Sequence, residues 1–311
     1  MSETRPKLPN QVEAAMKRAV RLAWASIVLL ISIILAMAMV MGGSQALQTA
    51  WVEDMLSLLP PIVFLIALKL EQKPATEKFP FGFYRANSLA FLIAAGALTT
   101  MGAVLLYEAA STLIKQKHPT IGSFQLFGRE IWLGWAMIAV LVYSVVPPVI
   151  LGQLKKPVAA KIADKVLHTD ALMNAADWHT GLAGILGIIG VGFGWWWADA
   201  VAAGFISISI LIDGVKSMGA SIVELIDGAP RQIDNARIDP LVNRITAQLR
   251  AEHGDVNVQV RETGRYMRAV FEPTDRPHVS GERAKALIGE DDAWRLIEVA
   301  MEQREDEPNR T

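Results

Sequence analysis

A chain of 311 residues that is 52% hydrophobic, with a mean hydropathy of +0.31, is too apolar for a soluble domain of ordinary surface. Its formal net charge of -1 gives no electrostatic footprint for nucleic acid, and the absence of cysteine rules out a disulfide framework and any thiolate metal site. The chain therefore reads as an integral membrane protein.

Six apolar runs of spanning length follow in order, approximately 20–41, 46–70, 87–114, 131–151, 170–193 and 197–218. The first is nearly free of charge and is read as a retained helix behind a polar arm, 1–19, because it is long enough to span rather than to be cleaved. Trp195, Trp196 and Trp197 form an interfacial belt in the turn between the last two runs. Lys and Arg gather in the N-terminal arm (Arg5, Lys7, Lys17, Arg18, Arg21), the second loop (Lys69, Lys73, Lys78, Arg85) and the fourth (Lys155, Lys156, Lys161, Lys165). By the positive-inside rule both termini are cytoplasmic.

Beyond residue 218 the texture changes. Asp227 to Pro230 reads as a turn, 233–250 as a helix, and 256–260 and 266–272 as two strands joined through Thr263–Gly264. A second amphipathic helix is expected over 282–303. The predicted organisation is a six-helix transmembrane domain over 20–218 and a hinge with a small α+β domain over 219–311.

Two carboxylates lie inside the spans. Asp54 sits in the second run and Asp177 in the fifth. A charge at bilayer depth costs on the order of 2.5–3.5 kcal/mol even on lenient scales, so such groups face a protein or water interior and bind something positive. At 1.5 Å per residue, Asp54 lies roughly 12 Å from the outer face and Asp177 roughly 18 Å from it. One shared cation site is therefore geometrically allowed, beside the alternative that each carboxylate pairs with its own neighbouring helix. Ser57 follows Asp54 by one turn, Glu53 lies about 100° round the helix, and Asn174 shares the face of Asp177. His179 points about 200° away from Asp177 and reads as a packed residue rather than a ligand. Pro60-Pro61 deprives the carbonyls of Leu56 and Ser57 of their helical donors, which either frees them for a cation or is a kink repaired by neighbours. Pro147-Pro148 is treated as a kink alone.

Three segments in register resemble the cation diffusion facilitators. They are Phe81-Gly-Phe-Tyr-Arg-Ala-Asn-Ser-Leu-Ala90, the run Ala198–Ile210 with Asp199 at its second place, and Glu224-Leu-Ile-Asp-Gly-Ala-Pro230. The resemblance implies a six-helix metal/proton antiporter of bacterial inner membranes, a homodimer surrounded by lipid, with a cytoplasmic ferredoxin-like domain that here ends before its last strand. The family pairs [HDN]-x-x-x-D on helix two with [HD]-x-x-x-D on helix five. Asp54 and Asp177 occupy the second place of each pair, while Ala50 and Met173 occupy the first.

What remains is an oxygen site of Asp54, Asp177, Glu53, Asn174, Ser57 and carbonyls, suited to a hard ion such as Mn, Fe or Mg more than to Zn. The ion is cargo, no prosthetic group is expected, and no enzymatic chemistry is implied. A transport-inactive family member serving as a dimerising or regulatory subunit, and a carrier of a monovalent cation, stay open as alternatives. The secondary sites look empty, with no His in the 74–80 loop and only His253 and His278 in the C-terminal domain. The resemblance also implies a charge lock between Arg85 at the start of helix three and Asp227 in the hinge.

Overall fold

The protein is described from a computed structural model covering residues 8–119, 121–126, 129–234, 237–272, 289 and 292–301. Its elements are α1 (Asn10–Val40), α2 (Gln45–Leu56), α3 (Leu59–Glu71), α4 (Ala86–Ile114), β1 (Ser123–Leu126), β2 (Arg129–Trp132), α5 (Leu133–Lys161), α6 (Lys165–Gly192), α7 (Ala198–Leu225), α8 (Pro240–His253), β3 (Val258–Thr263), β4 (Tyr266–Phe271) and β5 (Leu296–Met301). Among the described residues, five segments are long and apolar enough to cross a membrane: α1, α2 with α3, α4 from Leu92, α5 and α7. α6 has 28 residues and packs along α5 and α7, but is not among those five.

The helices bury one stripe and leave large apolar side chains outward. In α1 the buried residues Val12, Ala15, Ala19, Ala23, Ile27, Leu30, Ile33 and Met37 recur at the helical period, while Val28, Leu35 and Met39 are exposed. Such an apolar exterior suits lipid rather than water. α4 packs most extensively on α7, and α5 on α6. At the α4–α7 crossing, a Cβ on Gly214 would stand 2.7 Å from the Thr99 nitrogen, and one on Gly102 would stand 2.9 Å from the Leu211 nitrogen. The two backbones approach there because glycine permits it, the usual device for joining helices in lipid.

The second predicted run is two helices. α2 ends at Leu56, Ser57 caps it, and α3 resumes at Leu59 with Pro60 and Pro61 in its first turn. Proline is tolerated at a helix start, where the missing N–H has no intrahelical acceptor. Pro147 and Pro148, by contrast, lie within an unbroken α5. α7 continues to Leu225, past the expected limit at Met218. The short hairpin of β1 and β2, between α4 and α5, was not anticipated.

In the C-terminal part, Asp239 caps α8 by accepting from the Leu241 nitrogen at 2.9 Å, and Pro240 opens the helix. That places its start later than the residue expected from periodicity. β3 and β4 form an antiparallel hairpin in which Thr263 pairs with Tyr266, so the turn is Gly264–Arg265. The helix expected over 282–303 is corrected where it is described. Ala293–Arg295 is a single 3₁₀ turn, and Leu296–Met301 is a strand parallel to β4 in a β3-β4-β5 sheet. The rest of that expectation lies outside the described residues. β5 carries the sheet on from β4 to Met301. Its side chains do work that helical periodicity does not reveal: Leu296 joins Leu241, Ile245, Leu249, Met267 and Phe271 in one core between α8 and the sheet.

Candidate functional site

The site region begins with the anchoring of α2. Asp199, fully buried at the start of α7, accepts from the Ser44 hydroxyl at 2.7 Å and from the nitrogens of Gln45 at 2.5 Å and Ala46 at 3.3 Å. Ser44 accepts in turn from the Leu47 nitrogen at 3.1 Å. Three of the four N–H groups that a helix start leaves without intrahelical partners are thus satisfied, two of them by a carboxylate on another helix. Sequence reasoning noted Asp199 only as part of a family segment. An acid heading one apolar helix and a serine heading another were its available signals, but nothing local paired them across 155 positions.

Two and a half turns on, Asp54 is buried at 9% exposure, with Ala50 buried one turn before it and Ser57 buried one turn after. Glu53 is half-buried. The Ser57 nitrogen donates to the Glu53 carbonyl at 2.8 Å, the Leu58 nitrogen to Met55 at 3.3 Å and the Ile62 nitrogen to Leu58 at 3.3 Å. Pro60 and Pro61 have no N–H to offer the carbonyls of Leu56 and Ser57, and the helix break falls at that point. One turn below Asp54 the chain therefore presents a hydroxyl and two carbonyls without their usual helical donors.

α6 packs against both α2 and α3. On it, Asp170 is buried and accepts from the ammonium of Lys155, itself fully buried on α5, at 2.5 Å. The amide nitrogen of buried Asn174 donates to the other Asp170 oxygen at 3.3 Å, which leaves the Asn174 carbonyl oxygen as its atom suited to a cation. Asp177 lies within α6 one turn past Met173; its side chain is outside the described residues. Ala50 packs with Ile33, Met37, Leu47, Met137, Leu141 and Ile188. Met173 packs beside Leu98, Leu105, Ile206 and Ile210. His179 is exposed and stacks on Trp178 with ring centroids 3.7 Å apart. Among the described residues no three His, Asp or Glu side chains converge as a metal site. The structure thus brings Glu53, Asp54 and Ser57 together on one helix and places the Asn174 and Asp177 segment on a neighbour.

A cavity of about 580 Å³ opens between α6 and α7 at the end that carries the sheet. Thr169, Met173, Asp213, Lys216 and Arg231 are among its lining residues. It reaches α6 one turn from Asp177.

At the same end, Arg85 caps α4, forms an ion pair with Asp227 and donates to the Leu225 carbonyl at 3.3 Å. Arg261 from β3 also reaches Asp227, at 3.4 Å. Burial, then the nearby Arg261 and Arg268, push the Arg85 guanidinium below its ordinary value, so the Asp227 carboxylate offsets a locally positive cluster. Asp227 has φ +61°, a left-handed conformation that Asp accepts more readily than most residues.

Residues 22–226 match the cation efflux transmembrane domain. The chain is 26% identical over 167 residues to the manganese efflux system protein MneS of Bacillus subtilis, covering 54% of this chain and 53% of that protein. It is 24% identical over 197 residues to the cation-efflux pump FieF of Shewanella oneidensis, 62% of this chain and 61% of the other. Against the cadmium, cobalt and zinc/H(+)-K(+) antiporter of Bacillus subtilis it is 27% identical over 175 residues, 56% of this chain and 52% of that one. The chain thus spans about half to three fifths of the length of these relatives.

Proposed function

Because this chain belongs to the cation efflux family, whose members named above include a manganese efflux protein and a cadmium, cobalt and zinc antiporter, we propose that it exports a divalent cation in exchange for protons. The site is Asp54 and Asp177, with Glu53, Ser57, Asn174 and the carbonyls freed at the α2–α3 break as oxygen donors. The observation that carries the choice of ion is the fate of Ala50 and Met173. Both sit in apolar packing clusters at the first places of the two ligand pairs, so neither position supplies a histidine nitrogen. An all-oxygen set favours Mn²⁺, Fe²⁺ or Mg²⁺ over Zn²⁺, and the manganese relative accords with that preference. The cavity that reaches Met173, one turn from Asp177 along α6, is read as the water route from the end that carries the sheet.

We read the protein as a homodimer in a bacterial inner membrane with both termini cytoplasmic. The helices within 20–218 form the transport unit, and the part within 219–311 forms a ferredoxin-like dimerisation domain. The test is cation flux into proteoliposomes under an imposed pH gradient. Mn²⁺ is expected to move at least tenfold faster than Zn²⁺ and to alkalinise the lumen in step, because each ion that enters exchanges for protons that leave. If none of Mn²⁺, Fe²⁺, Co²⁺, Ni²⁺, Zn²⁺, Cd²⁺ and Mg²⁺ moves, the reading fails in favour of a regulatory subunit, and flux of Na⁺ or K⁺ alone would make it a monovalent carrier.

The Arg85–Asp227 pair is assigned the role of a charge lock at this joint. Its side chains are about two-fifths exposed (38% and 44%), so its direct contribution is expected to stay near the 0–1 kcal/mol of a surface pair. Arg85→Asp and Asp227→Arg are each expected to lower flux several-fold, and the double swap to regain part of it. Simple additivity of the two single effects would show that the residues act independently.

A further inference from the structure

The turn of the β3–β4 hairpin carries a charge that the transport reading leaves unused. Arg265 is 3% exposed. Its Nε lies 3.3 Å from a carboxylate oxygen of Glu71, and its Nη2 lies 3.0 Å from Oδ2 of Asp164. Met16 of α1 is also within reach, with its sulfur 3.5 Å from Nη1. Glu71 is the last residue of α3, and Asp164 is the N-cap of α6, whose Oδ1 accepts from the Leu167 nitrogen at 2.8 Å. One guanidinium from the C-terminal sheet thus joins the end of α3 to the start of α6. These are the two strands of chain that lead to Asp54 and to Asp177.

The hairpin is seated by several further contacts. Gly264 has φ +64°, and a Cβ there would stand 2.8 Å from the Tyr84 carbonyl oxygen, so the turn lies against the backbone before α4. Tyr266 meets Tyr84 edge-on with centroids 5.2 Å apart. Lys165, the first residue of α6, pairs with Glu262 of β3, and burial pushes the Glu262 carboxyl up while Lys165 opposes that. Burial disfavours the charge of Arg265, but Glu71 and then Asp164 more than offset it and hold the guanidinium above its ordinary value.

We propose that Arg265 is a positioning residue that clamps the sheet ends of α3 and α6 together, so that seating of the hairpin sets access to the cation site. The clamp rests on the reading of Asp54 and Asp177 as that site. Its physical basis is a charge count. With Arg265 in place, two carboxylates share one guanidinium, each through a different nitrogen. With the hairpin withdrawn, Glu71 and Asp164 face one another as like charges in a poorly hydrated place, and repulsion drives the two helix ends apart. A buried ionic triad of this kind adds little to stability compared with apolar packing, but removal of its cation leaves an uncompensated charge and is strongly felt. The clamp thus acts through charge balance between the two helix ends rather than through added stability.

The chain has no cysteine, so a Gln72→Cys, Lys161→Cys pair, both exposed positions, can carry spin labels in the full-length protein in lipid. Pulsed dipolar spectroscopy then reads the distance between the end of α3 and the last residue of α5, which the short 162–164 turn ties to the start of α6. Arg265→Gln is expected to lengthen the mean distance by on the order of 5 Å, about the pitch of one helical turn. The Arg265→Gln, Glu71→Gln double variant is expected to return part of that change, because it removes one of the repelling charges; a merely structural loss would be worsened by the second substitution. Arg265→Lys keeps the charge but not the fork, and is expected to give a smaller shift in the same direction even if the glutamine variant folds poorly. Distances that superimpose on the parent in Arg265→Gln and Arg265→Lys overturn the clamp, as does a double variant more open than the single. Because the distance is read with no ion present, a shifted distance with a silent flux panel sinks the cation-site reading and leaves the clamp. An unchanged distance with intact flux does the reverse.

Discussion

Alanine at Asp54 or at Asp177 is expected to lower Mn²⁺-dependent flux by two orders of magnitude or more while the protein remains folded. Asp54 lies buried one turn before a helix break at which the Leu56 and Ser57 carbonyls lack their usual helical donors. A doubly charged ion bound there would lose one of the three carboxylates assigned to the site with either substitution. Removing one partner of a buried charge pair costs about 3–5 kcal/mol, roughly two to four orders of magnitude at about 1.4 kcal/mol per tenfold. Asp54→Asn keeps the volume and the hydrogen-bonding shape, and is expected to lose nearly as much as Asp54→Ala because the charge is what binds. Met173→Leu should leave flux within a few-fold of the parent, since Met173 packs beside Leu98, Leu105, Ile206 and Ile210. Isothermal titration with Mn²⁺ in detergent checks binding apart from turnover. Asp54→Asn and Asp177→Asn variants that bind Mn²⁺ as tightly as the parent would remove these carboxylates from the site.

The parts of this molecule that were legible beforehand are those in which a local rule decides the outcome. Long apolar runs give membrane helices: α4 starts within one residue of its run, whereas α1 starts ten residues before its run and α7 ends seven after. Pro60-Pro61 announces missing donors at Leu56 and Ser57, and the helix does break there, within the single span expected of this run. Alternation gave β3 and β4 as a hairpin, with its turn moved one residue on to Gly264–Arg265. β5 was missed because its sequence, Leu-Ile-Glu-Val-Ala-Met, also fits a helical stripe; what makes it a strand is an open edge on β4, which no local window contains. The buried charges were hardest to read. Asp199 meets Ser44 across 155 positions, and Arg265 meets Glu71 across 194 and Asp164 across 101. Lys155 was counted only as one of the positive charges that set orientation, whereas in the fold it is fully buried against Asp170. Hydropathy registers such a residue as a cost, and only the tertiary partner turns it into a feature.

That buried pair carries the largest expected effect on folding. Lys155→Ala is expected to destabilise the protein by about 3–5 kcal/mol, because it strands the Asp170 carboxylate between α5 and α6 with the Asn174 amide as its remaining partner among the described residues. Asp170→Ala should cost a similar amount by stranding the ammonium. Lys155→Met combined with Asp170→Leu is expected to recover most or all of the loss, since apolar groups of similar volume replace an ion pair without its desolvation cost. Denaturant unfolding in detergent, followed through the tryptophans, measures the cycle, and additive single effects would show that the pair is not coupled. The recovered double variant should nonetheless transport poorly. Asp170 is the acceptor that fixes the Asn174 amide one turn from Asp177, and leucine leaves that amide with no hydrogen-bonding partner at position 170. Stability and transport are therefore expected to separate in this one variant. A double variant that is both stable and fully active would show that the Lys155–Asp170 pair orients nothing at the cation site.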